Sequence, residues 1–219
     1  MRTHLTSLLC MLTLSSCVTY EVSVNSVASP NYSPDLQPGA SIHVYDANEG
    51  EDLFRAEVAR KIIRLMRERG YVSAAADQAD FVLMFGYAIS SHSETQTVYV
   101  ADSSKPTTPP PAGASFAEAF AHGMAEGLGN TTPQQQQTNV NDRSLRLAVI
   151  DARHLRATGE TKTVWQCDTT SSGRSDDLRD VLNYMLVPTF RHFGEDTGKA
   201  VTYDLREHDT AVTALRRMP

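Results

Sequence analysis

Cysteine is scarce in this sequence: Cys10, Cys17 and Cys167 are the only three in 219 residues. A scaffold held by several disulfides is therefore excluded. The seven histidines, from His4 to His208, are scattered. Neither His-x-x-x-His nor Cys-x-x-Cys spacing occurs, so no metal centre of those types is encoded. A Gly-x-Ser-x-Gly elbow and a glycine-rich phosphate loop after a strand are also missing. There is no run of lysine and arginine, and the formal net charge is −6. That argues against nucleic-acid binding and against electrostatic adhesion to an anionic bilayer. No apolar stretch approaches the roughly 20 residues that a membrane-spanning helix needs.

What is present begins at the N-terminus. Arg2 supplies a small positive region, and Leu5, Leu8, Leu9, Met11, Leu12 and Leu14 make an apolar stretch of about ten residues, the length of a signal-peptide core. Leu14-Ser15-Ser16-Cys17 follows at once. The chemistry of lipidation requires that order: an aliphatic residue, two small side chains that fit the peptidase, and a thiol that accepts diacylglycerol. The tetrad resembles a bacterial lipobox. Cys10 is a poor competitor, because bulky Leu9 precedes it and too little apolar sequence stands before it. We therefore expect residues 1–16 to be a signal peptide cut between Ser16 and Cys17, and Cys17 to carry acyl chains. Two or three chains hold a protein to a membrane where one does so only marginally. Val18 stands where an aspartate would direct inner-membrane retention, which points to the outer membrane and its periplasmic face. Loss of Arg2 makes the mature chain one unit more negative. Cys167 is then its sole unmodified thiol, read as a packing residue of an apolar strand.

Residues 17–100 read as the first part of a domain. Val18 to Asn25 is a β-branched strand, residues 26–40 a proline-rich loop, and Ser41 to Tyr45 a short strand. A helix follows from Glu51 to Arg69. Phe54, Val58, Ile62, Leu65 and Met66 line one side of it, and Arg55, Arg60, Lys61, Arg64 and Arg67 lie mostly on a solvated face. Gly70 stops it. Asp80 to Ile89 is an apolar central strand, which Thr95 to Val100 extend or follow as an edge strand.

Residues 101–142 read as an insertion. Pro106, Pro109, Pro110 and Pro111 cannot sit inside a sheet, and Gln134 to Gln137 are a polar tract. Between them, Phe116, Phe120, Met124 and Leu128 recur every four residues, the stripe of a short amphipathic helix. Residues 143–205 resume the domain. Arg143 to Asp151 and Thr161 to Thr169 pair as a hairpin, a helix capped by Ser175 or Asp176 runs to a break at Pro188, and Ala200 to Leu205 is a last strand. Residues 206–219 form a helical or frayed tail. The fold class expected is α+β: a mainly antiparallel sheet of about five strands with two amphipathic helices on one face.

Arg69-Gly70-Tyr71 closing the helix, Ala79-Asp80 opening an apolar strand, Val164-Trp165-Gln166 and a final helix follow the lipobox in a recognisable order. Over residues 18–198 this order resembles the bacterial lipoprotein family catalogued as domain of unknown function 4136. The insertion and the C-terminal extension depart from its pattern. The resemblance implies an envelope lipoprotein with a small α/β domain, and it offers no catalytic residues. Asp151 and Asp168 sit at strand ends where two carboxylates could meet, although turn roles explain them as well. Trp165 suits core packing better than a ligand face. The chain is thus expected to be no enzyme and to need no cofactor or metal. Its expected partners are the membrane, through the acyl chains on Cys17, and another envelope protein, with nucleic acid excluded. The alternative functions are a carrier or sensor of a small apolar ligand such as a lipid and, less in keeping with the residues, a hydrolase.

Overall fold

The computed structural model describes residues 19–30, 36–45, 52–101 and 131–218. Among them are seven strands and four helices. The strands are β1 (Thr19–Ala28), β2 (Ser41–Tyr45), β3 (Val72–Ser73), β4 (Phe81–Ala101), β5 (Thr131–Asp151), β6 (Thr163–Gly173) and β7 (Val201–Arg206). The helices are α1 (Leu53–Glu68), α2 (Ala152–Thr158), α3 (Leu178–Arg191) and α4 (Thr210–Arg216). All strands belong to one open sheet in the order β3-β2-β4-β5-β6-β1-β7.

The α+β class holds, with corrections to its detail. There are seven strands rather than about five; the one with no counterpart in the sequence pattern is β3, an edge strand of two exposed residues. Pairing is mixed. β1 lies antiparallel to β6 and β7, whereas β2 is parallel to both β3 and β4. The parallel pairs follow from α1, which carries the chain back along the sheet between β2 and β3, as a parallel connection requires. The expected loop between the two hairpin strands is the short helix α2, capped by Asp151, whose Oδ1 accepts from His154 N at 2.9 Å.

The chain forms two compact units. The first comprises Met1–Ala88, Arg143–Ser172 and Asp177–Pro219; the second comprises Ile89–Asp142 and Gly173–Asp176. In the first, strand alternation places Val22, Val24, Phe81, Leu83, Leu145, Leu147, Val149, Trp165 and Cys167 on one face, all at 2% exposure or less. α1 and α3 cover that face with Val58, Ile62, Met66, Val181, Leu182, Met185 and Phe190. The opposite face keeps polar and small residues, with Met84 41% and Tyr45 45% exposed. One face wet and one packed is the usual two-layer solution.

α1 begins at Asp52, whose carboxylate accepts from the backbone N–H of Phe54 and Arg55 at 2.9 and 3.2 Å. Its polar side is not uniformly solvated as the sequence suggests. Lys61 is buried and donates to Glu57 at 2.6 Å. Glu57 also meets Arg179 of α3 at 3.3 Å, so α3 covers a charge that looks exposed on a lone helix. α3 is capped by Asp177, slightly later than expected. It runs through Pro188 instead of breaking there. Pro188 sits in the last turn, where its missing N–H deprives only the Tyr184 carbonyl, and its neighbours Val187 and Thr189 are buried.

In the second unit, β4 and β5 continue as a two-stranded ribbon. Ser91 Oγ donates to Asn141 Oδ1 at 2.6 Å and Ser93 Oγ to Asn139 Oδ1 at 3.0 Å, in the reversed order of antiparallel strands. Thr131 to Asp142 are therefore strand where the sequence suggests irregular chain, and Thr95 to Val100 extend β4 rather than forming a separate strand. The side chains of Ile89 to Thr97 and of Pro133 to Gln137 are exposed, so there is no buried face to imprint a period of two there. The proposed helical stripe from Phe116 to Leu128 lies outside the described residues.

Candidate functional site

Ser16 and Cys17, the lipidation and cleavage site read from the sequence, lie outside the described residues. What the structure gives is their mounting. β1 begins at Thr19, two positions after Cys17, and is an interior strand with β6 on one side and β7 on the other. A chain held at Cys17 would therefore be joined almost directly to an interior strand, next to the edge strand β7. Val22 and Val24 of that strand are fully buried.

A polar and aromatic clamp holds the first turn of this strand. The ring of Tyr20 stacks on that of Tyr184 in α3, with centroids 3.9 Å apart. Tyr20 Oη donates to Asp180 Oδ2 at 3.5 Å. Asp180 forms an ion pair with Arg216 of α4, and the Arg216 guanidinium lies 4.9 Å from the centre of the Tyr184 ring. Tyr184 Oη donates to the Glu207 carbonyl at 3.1 Å. Burial pushes the Tyr184 hydroxyl up to about 12, and burial followed by the Asp180 charge raises that of Tyr20. Both stay protonated donors at neutral pH. No sequence pattern announces this group, because its members are spread along the chain from Tyr20 to Arg216.

The residues behind the sequence resemblance prove to be determinants of the fold. Gly70 takes φ +86° and its carbonyl accepts from Gly39 N at 2.9 Å. Tyr71 Oη donates to the Leu36 carbonyl at 3.3 Å. Asp80 ties the starts of β2 and β4 together: its Oδ2 accepts from Ser41 Oγ at 2.7 Å and Ser41 N at 3.1 Å. The Ser41 hydroxyl and amide hold the Asp80 carboxyl below its ordinary value. Trp165 is 1% exposed, tilts against Phe193 at 4.8 Å and donates from Nε1 to the Glu195 carbonyl at 3.0 Å. It packs the core and presents no ligand face.

The other candidates are likewise occupied. Asp151 caps α2, and Asp168 bonds Arg146 at 2.5 Å, so each carboxylate has its own partner. Cys167 is fully buried, and burial pushes its thiol up to about 11, which keeps it from being a thiolate nucleophile. Arg55 donates to the Phe85 carbonyl at 3.1 Å and lies over the Phe85 ring at 4.4 Å. Among the described residues no cluster of three His, Cys, Asp or Glu side chains is placed to hold a metal ion. No described helix is long and apolar enough to cross a membrane. An open pocket of about 670 Å³ lies at the far end of β1, lined by Leu36, Arg69, Tyr71, Phe193 and Glu195 among others.

No family model matches the chain, and no curated protein matches its sequence. Solved structures with some similarity to the chain include the following three. A PDZ domain protein from Parabacteroides distasonis is 11% identical at a TM-score of 0.44, over 88% of this chain and 40% of that one. The chain thus spans well under half of that protein. The PelC dodecamer from Paraburkholderia phytofirmans is 11% identical at a TM-score of 0.35, over 77% of this chain and 94% of that one. A protein of the family with domain of unknown function 4136, from Bacteroides thetaiotaomicron, is 13% identical at a TM-score of 0.36, over 78% of this chain and 92% of that one.

Proposed function

We propose that the chain is a bacterial envelope lipoprotein related to the family with domain of unknown function 4136. In this reading acyl chains on Cys17 hold it to the outer membrane, and its α+β domain acts in the periplasm by binding another envelope component. The observation that carries the reading is the tetrad Leu14-Ser15-Ser16-Cys17 directly after an apolar stretch of signal-peptide length. The start of β1 at Thr19 supports it, since the sheet begins where the signal peptide and anchor end. A role in binding rather than catalysis agrees with the structural duties of Asp151, Asp168, Trp165 and Cys167. The apolar-carrier alternative gains no support between sheet and helices. Trp165, Phe81, Phe190, Ile62 and Leu182 fill that space at 2% exposure or less.

The test is Cys17→Ser in cells fed a labelled fatty acid. The wild-type protein should take up label and sediment with membranes, whereas the variant should take up none and move to the soluble fraction. Label retained by the variant would place the acylation elsewhere. A second arm tests the partner by cross-linking in intact envelopes. A partner captured by the wild type and lost from the released variant agrees with an interaction role, and capture of nothing by either counts against it.

A further inference from the structure

The sheet ends in β3 on one side and in β7 on the other. β3 has only two residues, too few to template another strand. β7 has six, and it pairs with β1 without a bulge from Val24↔Val201 to Thr19↔Arg206. It carries no proline and no lysine, the residues that commonly blunt an edge.

The hydrogen-bond phase of β1 identifies the groups that β7 turns outward. Successive residues of a strand bond to opposite neighbours. Ser29 N donates to the Val164 carbonyl at 2.9 Å and Ser171 Oγ to the Glu21 carbonyl at 2.8 Å, so the odd-numbered residues of β1 face β6. Thr197 N donates to the Ser26 carbonyl at 3.0 Å, from the β7 side. The even-numbered Tyr20, Val22 and Val24 therefore bond Leu205, Tyr203 and Val201. The N–H and C=O groups of Thr202, Asp204 and Arg206 point away from β1, and these three residues are exposed. The Arg206 carbonyl accepts from Asp209 N at 3.0 Å and keeps its second lone pair. Neither Asp204 nor Arg206 enters an ion pair among the described residues.

We propose that β7 pairs antiparallel with β7 of a second copy about a two-fold axis at Leu205. The charges on the edge choose both the partner and the register. A two-fold pairing sets outward-bonding residues opposite one another, so its axis falls at Tyr203, Asp204 or Leu205. An axis at Asp204 sets that carboxylate against its own copy, and like charges directly opposite are destabilising. An axis at Tyr203 sets it against Thr202. An axis at Leu205 sets Asp204 against Arg206 of the second copy and Arg206 against its Asp204, two cross-strand pairs of opposite charge. In that register each Asp204 N–H donates to the facing Arg206 carbonyl, and each Arg206 N–H to the facing Asp204 carbonyl. The same patch serves both copies, so the contact closes at two. It does not depend on acylation of Cys17, and its failure would leave that reading untouched.

Sedimentation velocity tests it on the chain carrying Cys17→Ser, which removes any contribution of acyl chains to association. That chain should form a two-copy species as concentration rises, and nothing larger. Adding Asp204→Arg sets Arg against Arg, and adding Arg206→Asp sets Asp against Asp. Each should weaken self-association about 10-fold or more. An equimolar mixture of the two should restore it, because both cross-strand pairs are again of opposite charge. Asp204→Pro should also weaken association, since it removes an outward N–H and spares the bonds to β1. A chain that stays monomeric, association indifferent to both reversals, or a mixture that associates no better than either variant alone would overturn the proposal. If Asp204→Pro loses sheet by circular dichroism, the two reversals and their mixture decide alone, since both residues are exposed.

Discussion

Gly70 stands at φ +86°, and a Cβ there would come within 3.2 Å of Pro38 Cβ. Gly70→Ala should therefore cost about 1–2 kcal/mol in urea unfolding, from the left-handed backbone and the close approach together. Asp80 makes a different demand. Hydrogen bonds from Ser41 hold its carboxyl below the ordinary 3.8. A depressed folded-state value gives stability that is fully present above 3.8 and is lost as pH falls through the folded value. Asp80→Ala should lower stability by about 1 kcal/mol near neutral pH, and the difference from wild type should close on acidification through that range. Unfolding curves from pH 7 down to pH 2 check both sign and window. Gly70 was legible in the sequence because the stop of a helix has local chemistry. Lys61 and the clamp of Tyr20, Asp180, Tyr184 and Arg216 were not, because their environment comes from helices and strands far away in the chain.

Elements with one buried face were found close to where the periodicity puts them. α1 spans Leu53–Glu68 where Glu51 to Arg69 is expected, and β7 spans Val201–Arg206 where Ala200 to Leu205 is expected. Elements without a buried face were missed, as β3 and the ribbon half of β5 show. Pro188 misleads for the opposite reason: burial of Val187, Thr189 and Phe190 keeps α3 helical past a residue that ends isolated helices. A two-stranded ribbon is marginal in water, so its few buried polar contacts matter. Asn141 is 5% exposed and its Nδ2 donates to the Arg174 and Ser175 carbonyls, both at 3.0 Å. Asn141→Ala should leave those carbonyls without that donor. Hydrogen exchange should quicken at residues 89–98 and 173–176, while β1 and β6 keep their protection. Equal quickening in β1 would show that the ribbon and the core sheet open together.

For the molecule as a whole, the proposed targeting signal stands directly before the first described strand. The α+β class was legible because half-buried strands and striped helices both leave a mark. The mixed strand order was not, since pairing partners such as Ile42 and Phe81 are set by the path of α1 rather than by either strand. Under the proposed acylation, Cys17 would place the anchor two positions before an interior strand of the domain. Mass spectrometry of the N-terminal peptide from membrane-extracted protein tests this account most directly. It should begin at Cys17, lack residues 1–16 and carry diacylglycerol on the thiol with a further acyl chain on the amine. An unmodified Cys17 in a peptide that still includes Leu14-Ser15-Ser16 would contradict it.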